Sequence, residues 1–211
     1  MKGGQDRRPS HPNFIGEIMP SPLGLVGRGS FDDRVANALQ YQMSLNTTPV
    51  SLTNPTTATD LMTFLFPTGP SNLGNILNVL GAGFELFCQG TYNLGLASTL
   101  VFTIKLGGVT IATFTTASQA TTGVTLAWQL TFSAFTASVG SAGTVEAHGV
   151  LTFSSGATLA AAASSFMDSN TAPSAAIDLT RAQTLEILAN LGSGNAGSSI
   201  AQRVLQIQLY Q

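Results

Sequence analysis

Charge is what this sequence has least of. Only 9% of its residues are Asp, Glu, Lys or Arg, against roughly a quarter in ordinary soluble proteins. The few charges are also concentrated, with nine in residues 1–50 and the other nine spread over residues 51–211. Three cations in the second stretch, Lys105, Arg181 and Arg203, cannot build the basic patch that phosphate binding needs, so no direct nucleic-acid binding is expected. Cys88 is the single cysteine, which excludes an intramolecular disulfide framework and any cysteine-based metal cluster. Long apolar runs are missing too: ATLAAAA at 157–163 is far shorter than the ~18 residues of a spanning helix, and no membrane partner is expected. The opening MKGGQDRRPSHPNF has basic residues but no apolar stretch of signal-peptide length behind it, so synthesis in a cytoplasm is expected.

Mean hydropathy is nevertheless positive, at +0.27, so the chain after residue 50 solvates itself with Ser, Thr, Asn, Gln and Gly rather than with charge. Residues 1–49 read as an extended arm. Pro9, Pro12, Pro20, Pro22 and Pro49 keep this backbone out of regular ladders, while Phe14, Ile15, Ile18, Leu23, Leu25 and Val26 are too apolar for a solvated linker and are expected to lie against a partner. Ser30 and Asp33 have capping-box spacing, and Val35, Ala36, Leu39 and Met43 fall at helical spacing, which predicts a short helix over 33–44.

Residues 50–211 read as one all-β domain. TTPVSLT, TATDLMTFLF, GFELFCQGTY, TLVFTIKL, VTIATFTT, GVTLAWQLTFSAFTA, GTVEAHGVLTFSS, AIDLTRAQTLEILAN and IAQRVLQIQLY are β-type runs separated by Gly, Pro, Ser or Asn clusters, the signature of a sandwich or barrel. AAASSFMDSNTAPSA at 161–175 reads as a long loop, and NLGNILNVLG at 72–81 fits a strand or a helical turn. A two-residue Gly107-Gly108 turn in TLVFTIKLGGVTIATFTT pairs Leu106 with Val109, Ile104 with Ile111 and Phe102 with Thr113. That register puts Val101 opposite Phe114 on the outer face, where an aromatic suggests cover by a partner. Phe135 likewise falls on the polar side of its strand, as a bulge, a sandwich corner or a contact residue.

Catalytic patterns are weak. GSGNAG at 192–197 matches the dinucleotide fingerprint, but a helix, a second parallel strand and a later acidic residue are missing behind it, and a loop between antiparallel strands is the better reading. Glu146 and His148 share a strand face and read as a surface ion pair rather than a metal site. Glu85, Glu146, Asp178 and Glu186 show no spacing that fixes a glycosidase pair. Trp128 and Tyr92 read as core rather than as a sugar platform. Cys88 reads as a small buried hydrophobe. Arg181 and Arg203 are expected to pair with Asp178 or Glu186, or with a neighbouring subunit. No catalytic residue, metal or cofactor is assigned.

In the order of GFELFCQGTYNLG, the Gly-Gly hairpin, TLAWQLTF, GTVEAHGVLTF, IDLTRAQTLEILANL and IAQRVLQIQLY, the chain resembles jelly-roll virion proteins of tailed bacteriophages. The resemblance implies an antiparallel jelly-roll β-sandwich, often trimeric, serving in the virion as a capsid decoration (cement) protein or as a fibre or spike component. The function expected is therefore non-enzymatic. A homo-oligomer, a trimer by that resemblance, would be fastened by its arm to the major capsid protein or another virion protein, and a receptor-binding module contacting host glycans is the alternative. The interface expected from the residues comprises Phe14, Ile15, Ile18, Leu23, Leu25 and Val26 on the arm, with Val101, Phe114 and Phe135 on the β domain.

Overall fold

The described residues form eleven strands: β1 (Tyr41–Asn46), β2 (Val50–Thr53), β3 (Thr59–Phe66), β4 (Gly83–Asn93), β5 (Leu100–Leu106), β6 (Val109–Thr115), β7 (Leu126–Ser138), β8 (Thr144–Ser154), β9 (Ala163–Ser169), β10 (Gln183–Leu191) and β11 (Ser199–Tyr210), with buried and outward residues alternating along β4, β5, β7 and β8. The computed structural model describes residues 41–46, 49–66, 76–120, 124–154, 163–169, 173–192 and 197–210, with backbone alone for β1 and β9. All of these lie in one compact unit, Ala38–Gln211. Phe14, Ile15, Ile18, Leu23, Leu25 and Val26 lie outside the described residues, as does most of the expected arm.

Two antiparallel sheets make the fold. The larger runs β1-β11-β4-β7-β8-β9, with β2 also paired to β11, and the smaller runs β3-β10-β5-β6. The pairings nest: β2 with β11, β3 with β10, β4 with β7, and β5 with β6. This is the order of one long hairpin closed at the Gly107-Gly108 turn and folded over on itself, with β8 and β9 added beyond β7. Both turn glycines have positive φ, 58° and 78°, as a two-residue hairpin turn matched to strand twist requires.

Three sequence expectations change. Residues 41–44, at the end of the expected helix, belong to β1, which pairs with β11; residues 33–40 lie outside the described residues. Helical spacing there is overridden by a ladder to a strand far along the chain. The stretch expected as a loop at 161–175 contains β9, paired along β8, because backbone pairing does not need the apolar alternation that its Ala and Ser residues lack. Residues 76–81 form turns rather than a strand.

Between the sheets lies an aromatic chain that crosses from one to the other and back. Phe66 of β3 meets Phe84 of β4 at 5.2 Å between ring centroids, Phe84 meets Phe132 of β7 at 6.0 Å, and Phe132 meets Phe114 of β6 edge-on at 6.4 Å. Trp128 stacks at a tilt on Phe102, 4.7 Å away, and its indole N–H donates to the Thr91 carbonyl at 3.2 Å. Tyr92 is buried as well, its hydroxyl donating to the Ser154 carbonyl. Each such ring removes enough apolar surface from water to contribute about 2–3 kcal/mol, and this core is what orients the outer faces.

Phe114 is a correction. The hairpin keeps the expected pair Leu106 and Val109, but a bulge after Lys105–Thr110 sets Ile104 against Ala112 and Phe102 against Phe114. Ile111 and Ala112 are consecutively buried, so the alternation slips by one and Phe114 turns into the core at 1% exposure. Val101 faces Thr115 instead and is half-buried.

Candidate interaction surface

The register of four strands fixes what the outer face of the larger sheet presents, row by row. From one end, Tyr210, Gly83, Phe135 and Glu146 stand side by side on β11, β4, β7 and β8. The next row is Gln208, Glu85, Ser133 and His148, followed by Gln206, Phe87, Thr131 and Val150, and then by Val204, Gln89, Gln129 and Thr152. Neighbours in a row sit about 5 Å apart and rows about 7 Å apart. Amides and hydroxyls dominate, which is where the charge-poor composition becomes a surface property. Shallow grooves of about 400, 210 and 200 Å³ cross this face, the largest lined by Gln89, Thr91, Gln129, Thr152, Ser154 and Arg203.

Phe135 stays outside, 39% exposed. Its ring lies over Gly83, where a Cβ would come within 2.6 Å of it, and reaches Tyr210 at 6.3 Å between centroids. Glycine is required at 83, since a Cβ would also come within 2.4 Å of the Ala134 carbonyl oxygen. Burial first, and then a hydrogen bond and the charge of Glu85, push the Tyr210 hydroxyl up to about 12. Of the three residues expected to meet a partner on the β domain, Phe135 alone is exposed; Phe114 is in the core and Val101 half-buried, and they lie in the smaller sheet while Phe135 lies in the larger.

Ser133 and His148 are register neighbours, with Glu85 on the far side of Ser133 and Glu146 two residues from His148. No side-chain hydrogen bond links any two of these among the described residues, and the strand backbone around them is committed to the ladders. Among the described residues there is no group of three His, Cys, Asp or Glu side chains that could hold a metal, and no helix is long and apolar enough to cross a membrane. Burial pushes the Cys88 thiol up to about 12, so it is protonated at neutral pH. Arg181 pairs with Asp178 at 3.2 Å. A hydrogen bond from Thr180 is the main cause holding the Asp178 carboxyl below its usual range.

Sequence reading missed one feature. Ile76 to Ala82 forms a turn strapped to the end of β7: Gly81 N–H donates to the Thr136 carbonyl at 3.0 Å, Thr136 N–H to Ala82 at 2.7 Å, and the Thr136 hydroxyl to Leu77 at 2.7 Å. Asn78 Oδ1 accepts from Gly140 N–H at 2.7 Å. These bonds fix the backbone at one end of the sandwich, where Val79, Leu80 and Val139 are exposed at 51%, 69% and 49%. Turn segments are scanned for Gly, Pro and Asn, so apolar residues inside them carry no periodic signal to find.

No protein-family model matches the chain, and no curated protein does. Among solved structures, the chain is similar to the CBM2 module of the evolved Dit protein of Lactobacillus casei BL23 phage J-1, at 11% identity and a TM-score of 0.28, over 71% of this chain and 69% of that one. A TM-score of that size assigns neither a detailed fold nor a role.

Proposed function

We propose that the β domain is a jelly roll and that the chain is a non-enzymatic structural protein of tailed-phage virions, a capsid decoration protein that oligomerises through its β domain and is fastened by its N-terminal arm. The observation that carries this reading is the nested strand order. The sheets β2-β11-β4-β7 and β3-β10-β5-β6 follow the double Greek-key order of a jelly roll, the fold that the sequence resemblance implies. The charge-poor outer face supports it, because such a surface suits contact with neighbouring protein better than electrostatic capture of a charged substrate. Ordering of a Pro-rich arm on docking is the physics of coupled folding and binding.

The test is removal of residues 1–30. The truncated chain is expected to remain a folded oligomer and to lose co-sedimentation with purified virions, whereas undiminished co-sedimentation would sink the arm's role. A second reading, a fibre or receptor-binding module for host glycans, draws on the groove lined by Gln89, Gln129, Thr152 and Arg203, whose amides, hydroxyl and guanidinium suit a neutral polyhydroxylated ligand. Specific retention on a glycan array that Gln129→Ala removes would favour it over decoration.

A further inference from the structure

We infer that the outer face of the larger sheet is a track for an extended, neutral polysaccharide chain laid along β4, from the rings of Phe135 and Tyr210 past Phe87 to the groove at Gln89 and Gln129. This rests on the glycan reading above and names the form of the ligand and the far end of its site. β4 supplies the axis: Glu85, Phe87, Gln89 and Thr91 point outward along it, about 7 Å apart. Depressions follow the same strand. Those of about 210 and 200 Å³ flank it at Glu85, toward His148 on β8 and toward Gln208 on β11, and the groove of about 400 Å³ opens further along at Gln89. On β7, Phe135 and Gln129 are three row spacings apart, about 20 Å, which is too long for a disaccharide and comparable to about four linked pyranoses.

The side chains identify the occupant. An aromatic ring offers a flat apolar face to the C–H side of a pyranose, and a glutamine amide both donates and accepts, as a sugar hydroxyl does. Both occur together on this face: the Phe135 and Tyr210 rings lie side by side with their planes 35° apart, Phe87 is half-buried midway along β4, and Gln206, Gln208, Gln89 and Gln129 stand in the rows around them. The outer face of the smaller sheet, where Thr63, Glu186, Lys105 and Thr110 form a row, has neither an aromatic ring nor a glutamine. Charge argues for a neutral chain. Glu85 and Glu146 stand near the Phe135 end and Arg203 lines the groove at the other, so a polymer of either sign would meet its like at one end. Separate depressions along one line, without a single apolar centre, match repeating polar units better than a protein contact, whose centre is apolar.

The test is a glycan array of neutral homo-oligosaccharides of glucose, galactose, rhamnose and N-acetylglucosamine, each graded from disaccharide to hexasaccharide, probed with the full chain. In the retained series, apparent affinity is expected to rise roughly tenfold once an oligomer reaches from the groove to the Phe135 ring. Phe135→Ala is expected to abolish that rise and leave the short oligomers bound, whereas Gln129→Ala weakens short and long alike. Phe135→Tyr, which keeps the ring, is expected to bind as the native chain does, and thermal unfolding checks that each variant is folded. Retention is expected to be unchanged between about 0.1 M and about 1 M salt. Equal retention of short and long oligomers, or a rise that survives Phe135→Ala, would overturn the track and leave the groove reading standing; retention lost in salt would overturn the neutral ligand. Retention of no series would remove both, and virion co-sedimentation abolished by Phe135→Ala would then give the face to a protein partner.

Discussion

At both ends of the sandwich buried hydroxyls tie loops to strand backbone, and the ends differ in which apolar groups stand outside. At the Leu96 end, Ser98 and Gln119 exchange backbone bonds at 2.9 and 2.7 Å, the buried Thr116 hydroxyl accepts from Leu100 N–H at 3.0 Å, and the buried Ser198 hydroxyl accepts from Gly95 N–H at 2.9 Å. At the Leu80 end the buried Thr136 does the equivalent work for the 76–82 turn. Among the described residues, Val79, Leu80 and Val139 are exposed at that end and Leu96 and Val124 at the other, so the ends differ in degree.

That contrast depends first on knowing inside from outside, and the sharpest way to break it is Phe114→Ala. With Phe114 packed on Phe132, the substitution is expected to cost about 3–5 kcal/mol in urea unfolding. A change within about 0.5 kcal/mol, the size of a surface substitution, would return Phe114 to the outer face. The ends themselves are compared by Thr136→Val and Thr116→Val, each of which removes a buried hydroxyl's hydrogen bonds at about 1–2 kcal/mol. Similar stability losses are expected in urea unfolding, and a loss confined to one of the two would mean that the hydroxyls do not hold the ends alike.

Between the ends, Gln202 is wholly buried with neither side-chain amide atom hydrogen-bonded among the described residues. Gln202→Met keeps the shape and removes the unpaired dipole, so unfolding free energy is expected to rise by about 1 kcal/mol; a fall would reveal a partner outside the described residues. The smallest effect is a pH dependence. Burial raises the Cys88 thiol from 9.0 to about 12, so the unfolded chain loses this proton first and stability falls as pH climbs from about 9 to about 12. Cys88→Ala is expected to flatten that part of the alkaline unfolding curve, and an unchanged slope would assign the loss to other groups.

The fold class was legible because alternation and turn residues are local signals. GVTLAWQLTF alternates cleanly and its even-numbered residues, Leu126 to Phe132, are the buried ones. What was not legible depended on distant partners. Residues 41–44 looked helical by the spacing of Val35, Ala36, Leu39 and Met43 because nothing in them announces a ladder to β11. The bulge at Ile111–Ala112 was hidden because alanine fits either face, and one slipped residue moved Phe114 from outside to inside. Phe135 broke the alternation in the same visible way and stayed outside, its ring accommodated by the missing side chain of Gly83 on the neighbouring strand. Of the candidate surface, the polar rows followed from strand pattern, while the Leu80 cluster depends on a turn and a strand end brought together by tertiary hydrogen bonds.

The central claim, that the β domain oligomerises and the N-terminal arm fastens it to the particle, is tested most directly by the solution mass and virion co-sedimentation of the full-length protein and of a chain lacking residues 1–30. The full-length chain is expected at a multiple of 21.8 kDa and to sediment with virions, and the truncated chain to remain an oligomer that stays in the supernatant. A full-length protein that runs as a single chain, or a truncated one that co-sediments undiminished, would contradict it.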